Sequence, residues 1–432
     1  KPTRRRCMTW PLNTAYQQEE IEYFVRNAEP SLVICSPAAQ ASFTHRLAGR
    51  DCRLATLDAD GRGSLATDLD SGDYPPAFNS PPTQPDTTAV ILYTSGTTGQ
   101  PKGAMVSHGN LSANTSTLHQ AWDWQAGDVL LHTLPVFHIH GLFVATHLAV
   151  YNASPIILLP GFDPAEVISL LPAATVYMGV PTHYVRLLKH GGLTTTVCRN
   201  MRLFTSGSAP LLPQTFAAFA AATGQHIVER YGMTETGMNT SNPVHGERKP
   251  GTVGPALPSV TTRIVDARGQ VLPRGSAGEL QVRGANVFKG YWRMPAKTLE
   301  EFTADGFFKT GDVAAEDQDG YIAIVGRNKD MIISGGLNVY PKELETLLDK
   351  LPGVTESAVI GLPDSDFGEA VTAIMVTVEG ADLDEARVIQ YMKQHLANFK
   401  VAKSVHFVAA LPRNTMGKVQ KNLLREQYGR VV

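Results

Sequence analysis

Apolar side chains recur at helical spacing over residues 15–30 (AYQQEEIEYFVRNAEP), and the short run SLVICS at 31–36 reads as a buried strand. From Asp60 to Thr87 the chain is rich in Gly, Pro, Ser and Asp, which predicts a surface connection. Ala89–Tyr93 (AVILY) then forms an apolar strand that runs straight into a glycine-rich segment. Beyond it, apolar runs at Pro155–Leu159 and Val176–Gly179 alternate with helical stretches such as Leu212–Thr223, the pattern of a parallel sheet covered on both faces. Between Val260 and Val287 the alternating runs VTTRIVD and GELQVRG point to an antiparallel or barrel-like subdomain. After GRNKD (326–330), strands at Ser357–Ile360, Ala370–Val378 and Ser404–Phe407 and a helix near Leu383–Ala397 suggest a small α+β domain. The expected class is therefore α/β: an N-terminal body, 1–328, of parallel α/β sheets plus a β-barrel-like subdomain, followed by a C-terminal domain, 329–432.

A length of 432 residues with 43% hydrophobic content suits two or three domains with real cores. The net charge of −2 argues against a dedicated nucleic-acid binder. The richest apolar stretch, Leu142–Leu159, is broken by His147, Asn152, Ser154 and Pro155, so no membrane span is expected. Four scattered cysteines without a CxxC pair fit a reducing compartment, and nothing near Cys198 marks it as a nucleophile.

Candidate chemistry begins at the glycine-rich segment. Thr94, Ser95, Gly96, Thr97, Thr98 and Gly99 all carry a hydroxyl or no side chain, and Lys102 and Gly103 follow. Backbone amides, hydroxyls and an ammonium together suit a polyphosphate. The spacing fits neither a Walker A loop nor a dinucleotide GxGxxG fingerprint. A flexible polar connection is the plain alternative.

YTSGTTGQPKG (93–103) resembles the phosphate-binding signature of the adenylate-forming superfamily of acyl-CoA synthetases, luciferases and peptide-synthetase adenylation domains. RYGMTET (230–236), KTGD (309–312), GYIAIVGRNKDMI (320–332), SGGLNVYPKELE (334–345) and NTMGKVQK (414–421) follow in that family's order. The resemblance runs from about Pro11 to Tyr428 and implies an enzyme using ATP, Mg²⁺ and coenzyme A, with a mobile C-terminal domain. It implies that Lys418 bridges the substrate carboxylate and α-phosphate, that Glu235 is the Mg²⁺ ligand and that Thr234 contacts the α-phosphate. Tyr231 and Gly232, with Ser206, Gly207 and Ser208, would flank adenine; Asp312 and Arg327 would hold the ribose, unless they form only a structural ion pair. Lys329 takes the hinge position, and Gly335 and Gly336 the thioester loop. Family members carry further structure ahead of the segment matching PLNTAY, here preceded only by KPTRRRCMTW, so a missing initial segment is expected.

The acid pocket would draw on residues near 135–145, 179–190, 205–209 and 231–239, Met233 among them. These place His138, His140, His183 and Arg186 where a fatty-acyl tunnel would be apolar. Arg186 could pair bidentately with a second carboxylate, or simply reach solvent. LPVFHIHGLF (134–143) and RYGMTETGMNTSNP (230–243) look much like malonyl-CoA synthetases, in which His138 would lie by substrate and phosphates. The resemblance thus implies malonate, with methylmalonate second, as the acid. The rivals are another short or medium acid, or a truncated nucleotide-binding protein of weak or no activity. Small carboxylic acid, ATP and CoA are the expected partners, without nucleic acid or membrane. No carrier-domain signature follows Tyr428, which disfavours a carrier protein, and the cytoplasm is the expected location, with the mitochondrial matrix as alternative.

Overall fold

The computed structural model describes residues 8–14, 16, 18–72, 82–94, 101–327, 330–334, 337–364, 368–396, 398–414 and 417–429. Two compact units are present, a smaller one holding residues 11–83 and a larger one holding 84–432. In the smaller unit, strands Leu32–Cys35 and Arg53–Thr56 pair in parallel, with helix Gln40–Leu47 between them in the chain. Helix Gln18–Ala28 precedes them, and Phe24, Val33, Phe43, Leu47 and Ala55 are buried. The polar stretch after Asp60 is not purely a connection, because helix Ser64–Ser71 lies within it. Ser64 and Thr56 exchange two hydrogen bonds, Thr56 N to Ser64 Oγ at 2.9 Å and Ser64 N to Thr56 Oγ1 at 3.0 Å, which start the helix against the strand. Tertiary bonding of this kind has no compositional signal.

A six-stranded sheet is central to the larger unit. Its spatial order is Gly237–Ser241, Ile227–Met233, Leu203–Ser206, Val176–Gly179, Leu130–His132 and Ile156–Leu158, all parallel except the first pair. Successive residues alternate between two buried faces. Leu130, Val176, Leu203 and Val228 pack with Trp122 and Leu148 on one side, and Leu131, Tyr177, Phe204 and Ile227 pack with Phe219 on the other. Both faces are dry, so the strands read as continuous apolar runs.

Strands Val260–Val265, Ala277–Gly284, Phe308–Glu316 and Ile322–Arg327 form the expected antiparallel region, a four-stranded ladder. The C-terminal subdomain is α+β: long strands Val354–Asp364 and Gly368–Thr377 anchor a five-stranded sheet under helices Pro341–Leu348, Glu385–His395 and Lys421–Tyr428. Its core joins Leu344, Leu348, Val359, Val371, Val388 and Met392. Among the described residues, no helix is long and apolar enough to cross a membrane.

Candidate active site

The strands on either side of the glycine-rich segment pair with each other. Strands Thr88–Thr94 and Lys102–Ser107 pair in antiparallel fashion, with Thr94 opposite Lys102. This differs from the strand-to-helix turn of a Walker loop. Ser95, Gly96, Thr97, Thr98 and Gly99 lie outside the described residues. Residues 289–292 fix the hairpin's other edge through Met105 N to Gly290 O at 2.9 Å and Trp292 N to Gly103 O at 2.7 Å.

Glu235 reaches the same place from the central sheet. Met233 pairs with Gly237, leaving Thr234, Glu235 and Thr236 as a tight turn closed by Gly237 at φ +59°. Asn114 clamps this turn: its Oδ1 accepts from Met238 N at 3.1 Å, and its Nδ2 donates to Met238 O at 3.0 Å. A side chain at 237 would stand 2.6 Å from that Asn114 oxygen, so glycine is required twice over. The Glu235 carboxylate is buried, accepting from Tyr291 OH at 3.0 Å and from Thr94 Oγ1 at 3.5 Å. The Lys102 ammonium lies 4.4 Å above the Tyr291 ring and 3.7 Å from Glu301. Among the described residues no cluster of three or more His, Cys, Asp or Glu side chains could cage a metal. One buried carboxylate beside hydroxyls fits Mg²⁺, which takes its remaining ligands from phosphate and water.

On the nucleoside side, Tyr231 OH donates to Asp312 Oδ2 at 2.5 Å, and Asp312 is 4% exposed. Asp312 and Arg327 are direct cross-strand partners, and Gly311, at φ +70°, turns the backbone just before the carboxylate. Ser206, Gly207 and Ser208 continue from the carboxyl end of a central parallel strand, the usual ligand edge of such sheets. Ser208 sits at φ +70°, a conformation rare for a residue with a side chain, and its hydroxyl meets His140 Nδ1 at 3.2 Å.

His138, His140 and Arg230 cluster near Lys418. His140 opens a π-helical segment, His140–Thr146, of the kind that tends to mark functional sites. His132 staples the loop beneath it, with Nε2 3.1 Å from Gly141 O and Nδ1 accepting from Leu134 N at 3.1 Å. Arg230, on the strand Ile227–Met233, is 2% exposed, and among the described residues neither Nε nor Nη2 meets an acceptor. Its guanidinium fills the space above Gly207, where an added Cβ would come within 2.4 Å of Nη1. Burial lowers its pKa to about 9, which leaves it charged at neutral pH. Burial and the charges of Arg230 and Lys418 hold the His138 imidazole down at about 4. Burial and Arg230 likewise keep His140 neutral, and among the described residues its Nε2 has no partner. Lys418 arrives from the C-terminal subdomain, with its amide bonded to Asn414 Oδ1 at 2.9 Å. The adjacent Gly417, at φ +74°, packs so closely on Thr182 that a Cβ would lie 3.0 Å from that hydroxyl.

Two sequence expectations change here. Arg186 is exposed on helix Pro181–His190, whereas the cation buried beside His138 and His140 is Arg230. His183 serves packing: its ring stacks on Phe162 at 3.9 Å and Nδ1 meets Tyr177 OH at 2.9 Å. Thr234 follows Met233 in the turn that Gly237 closes, whereas Lys329, Gly335 and Gly336 fall outside the described residues. Arg230 and Tyr291 escaped the sequence reading. A usable signal existed for the first: IVERYGM sets two adjacent charges inside an otherwise buried strand.

The paired strands Thr88–Thr94 and Lys102–Ser107, the buried Asp312 beside Tyr231 and Lys418 from the C-terminal subdomain belong to an adenylate-forming enzyme fold. Family models agree: residues 4–292 match the AMP-binding enzyme model and 343–418 its C-terminal domain model, and the chain belongs to the AMP-binding enzyme family. It is 36% identical to the mitochondrial malonate–CoA ligase ACSF3 of Mus musculus, over 97% of this chain and 77% of that one. The ATP-bound MatB of Rhodopseudomonas palustris superposes with a TM-score of 0.95 at 52% identity, covering 98% of this chain and 84% of the other. A malonyl-CoA ligase ternary product complex with methylmalonyl-CoA and AMP bound gives 0.66 at 36% identity, over 94% and 85%.

Proposed function

We propose that this protein is an ATP-dependent malonate–CoA ligase, adenylating malonate and passing the malonyl group to CoA with release of AMP and pyrophosphate. Arg230 carries the reading. A buried guanidinium with two unpartnered nitrogens is costly unless an anion completes it. A monocarboxylate spends its only charge at the reacting end. A dicarboxylate has a second one for Arg230, and its three-carbon span suits a pocket already crowded by His138 and His140. The resemblance to the malonate–CoA ligase relative and to the malonyl-CoA ligase product complex supports the same acid. Methylmalonate is the second substrate, a reading supported by the methylmalonyl-CoA bound in the product complex of a related ligase.

In the first half-reaction Lys418 draws the reacting carboxylate and the α-phosphate together, offsetting the repulsion between two anions. Asp312 and Arg327 hold the ribose, Tyr231 orients Asp312, Thr234 contacts the α-phosphate, and Lys102 takes the outer phosphates with the hairpin loop. Mg²⁺, when bound at Glu235, neutralises phosphate charge. His138, kept neutral, presents a hydrogen-bonding ring without adding a third positive charge. The close TM-score to an ATP-bound structure and the seating of Gly417 on Thr182 support assignment of this conformation to adenylation. Rotation about Lys329 then withdraws Lys418 and brings Gly335 and Gly336 to the adenylate for CoA attack.

The test is pyrophosphate release and product mass with ATP, Mg²⁺, CoA and a panel of acids. Malonate, then methylmalonate, should exceed acetate and propionate by at least a hundredfold in kcat/KM. Equal use of acetate would overturn the assignment of the acid, and no acyl-CoA from any acid would overturn the ligase reading.

A further inference from the structure

Tyr291 stands between two groups that the proposed reaction needs and that come from different parts of the chain. Its hydroxyl donates to Glu235 Oε1 at 3.0 Å, while the Lys102 ammonium sits 4.4 Å over its ring. Its place is over-determined. The residue is 3% exposed, and its amide donates to Thr298 Oγ1 at 2.9 Å. The backbone bridges to Ala104 in the hairpin, and the ring meets Phe288 edge-on with centroids 4.9 Å apart. Lys102 is further held by Glu301, 3.7 Å away at the end of helix Pro295–Glu301.

We infer that Tyr291 is a positioning residue that sets the metal carboxylate and the phosphate-binding lysine as one rigid unit. Its hydroxyl fixes one Glu235 oxygen and so turns the other toward the ion. Its ring face holds Lys102 in place at the start of its strand, and Glu301 satisfies that ammonium until phosphates displace it. The inference rests on the proposed nucleotide site but concerns a residue that touches neither metal nor nucleotide. Carboxylates that ligate metals depend on such neighbours, and removing one typically weakens metal binding about 10–100-fold. A cation over an aromatic ring is a separate interaction, lost only with the ring.

Two variants therefore separate the two roles. Tyr291→Phe keeps the ring and removes the hydroxyl; Tyr291→Leu removes both. Mn²⁺ binding to the protein–ATP-analogue complex is read by electron paramagnetic resonance, and metal-free analogue binding by calorimetry. Tyr291→Phe should weaken Mn²⁺ about tenfold or more and leave metal-free nucleotide affinity within about twofold. Tyr291→Leu should weaken both, the nucleotide by about three- to tenfold. Thermal melts of each variant check folding, and the Phe variant preserves the buried ring. Wild-type Mn²⁺ affinity retained in Tyr291→Phe would overturn the inference while leaving the ligase reading intact. Failure of the wild-type protein to bind metal and analogue together would overturn both.

Discussion

Replacing Arg230 with Met keeps a long, flexible side chain while removing the charge. The two nitrogens that meet no acceptor among the described residues, Nε and Nη2, are the ones available to a second carboxylate. Hydrogen bonds to charged groups contribute about 1.5–3 kcal/mol each, so losing two removes roughly 3–6 kcal/mol. With each 1.4 kcal/mol worth tenfold, kcat/KM for malonate should fall about a hundred- to ten-thousand-fold. Acetate has nothing to offer Arg230, so its kcat/KM should hold within a few-fold or rise. The ligand-free variant should also melt higher, by the equivalent of about 1–4 kcal/mol, because an uncompensated buried charge has gone. A coupled pyrophosphate assay on both acids and a thermal melt without ligand measure these outcomes. A parallel loss on malonate and acetate, or a lower melting temperature, would refute the assignment of Arg230 to the distal carboxylate.

Three further outcomes follow from the same geometry. Lys418→Ala should slow malonyl-adenylate formation about a hundred- to a thousand-fold yet leave thioester formation from supplied malonyl-adenylate within a few-fold, as single-turnover kinetics of each half-reaction would reveal. Gly207→Ala sets a methyl 2.4 Å from the Arg230 guanidinium and should displace it, costing about 1–3 kcal/mol of stability and lowering kcat/KM for malonate more than for acetate. Glu229 is buried, with one oxygen accepting from Leu211 N at 3.0 Å, the other unpartnered, and a pKa pushed up by burial to about 8. Because that pKa is raised on folding, the group's stabilisation is fully present below the unfolded value and is lost as pH rises through about 8. Glu229→Gln should remove this loss, on the order of 4 kcal/mol between pH 5 and pH 9, which denaturant melts at the two pH values would measure.

Much of this arrangement was legible in the chain. Apolar runs such as AVILY and VYMG marked buried strands because both sheet faces are dry, and the ordered motifs carried Glu235, Asp312 and Lys418. What stayed hidden depended on which way a side chain points. Arg186 and Arg230 are equally cationic on paper, but the first leaves a helix toward solvent and the second turns into the space above Gly207. Tyr291 was invisible for another reason: its partners Glu235 and Lys102 lie 56 and 189 positions away, and only folding joins them. The helix Ser64–Ser71 was masked by its polar composition, since its start is set by a tertiary bond to Thr56.

The strand Ile227–Met233 has a consequence for how such enzymes diversify. Arg230 and Tyr231 are neighbours in sequence, yet successive side chains leave a strand on opposite sides. One therefore turns into the space above Gly207 and the other bonds Asp312. On the proposed role of Arg230, a mutation at 230 exchanges one acid for another while the backbone geometry that places 231 is untouched. Alternation along a single strand thus lets the choice of fuel vary while the ignition system is inherited unchanged.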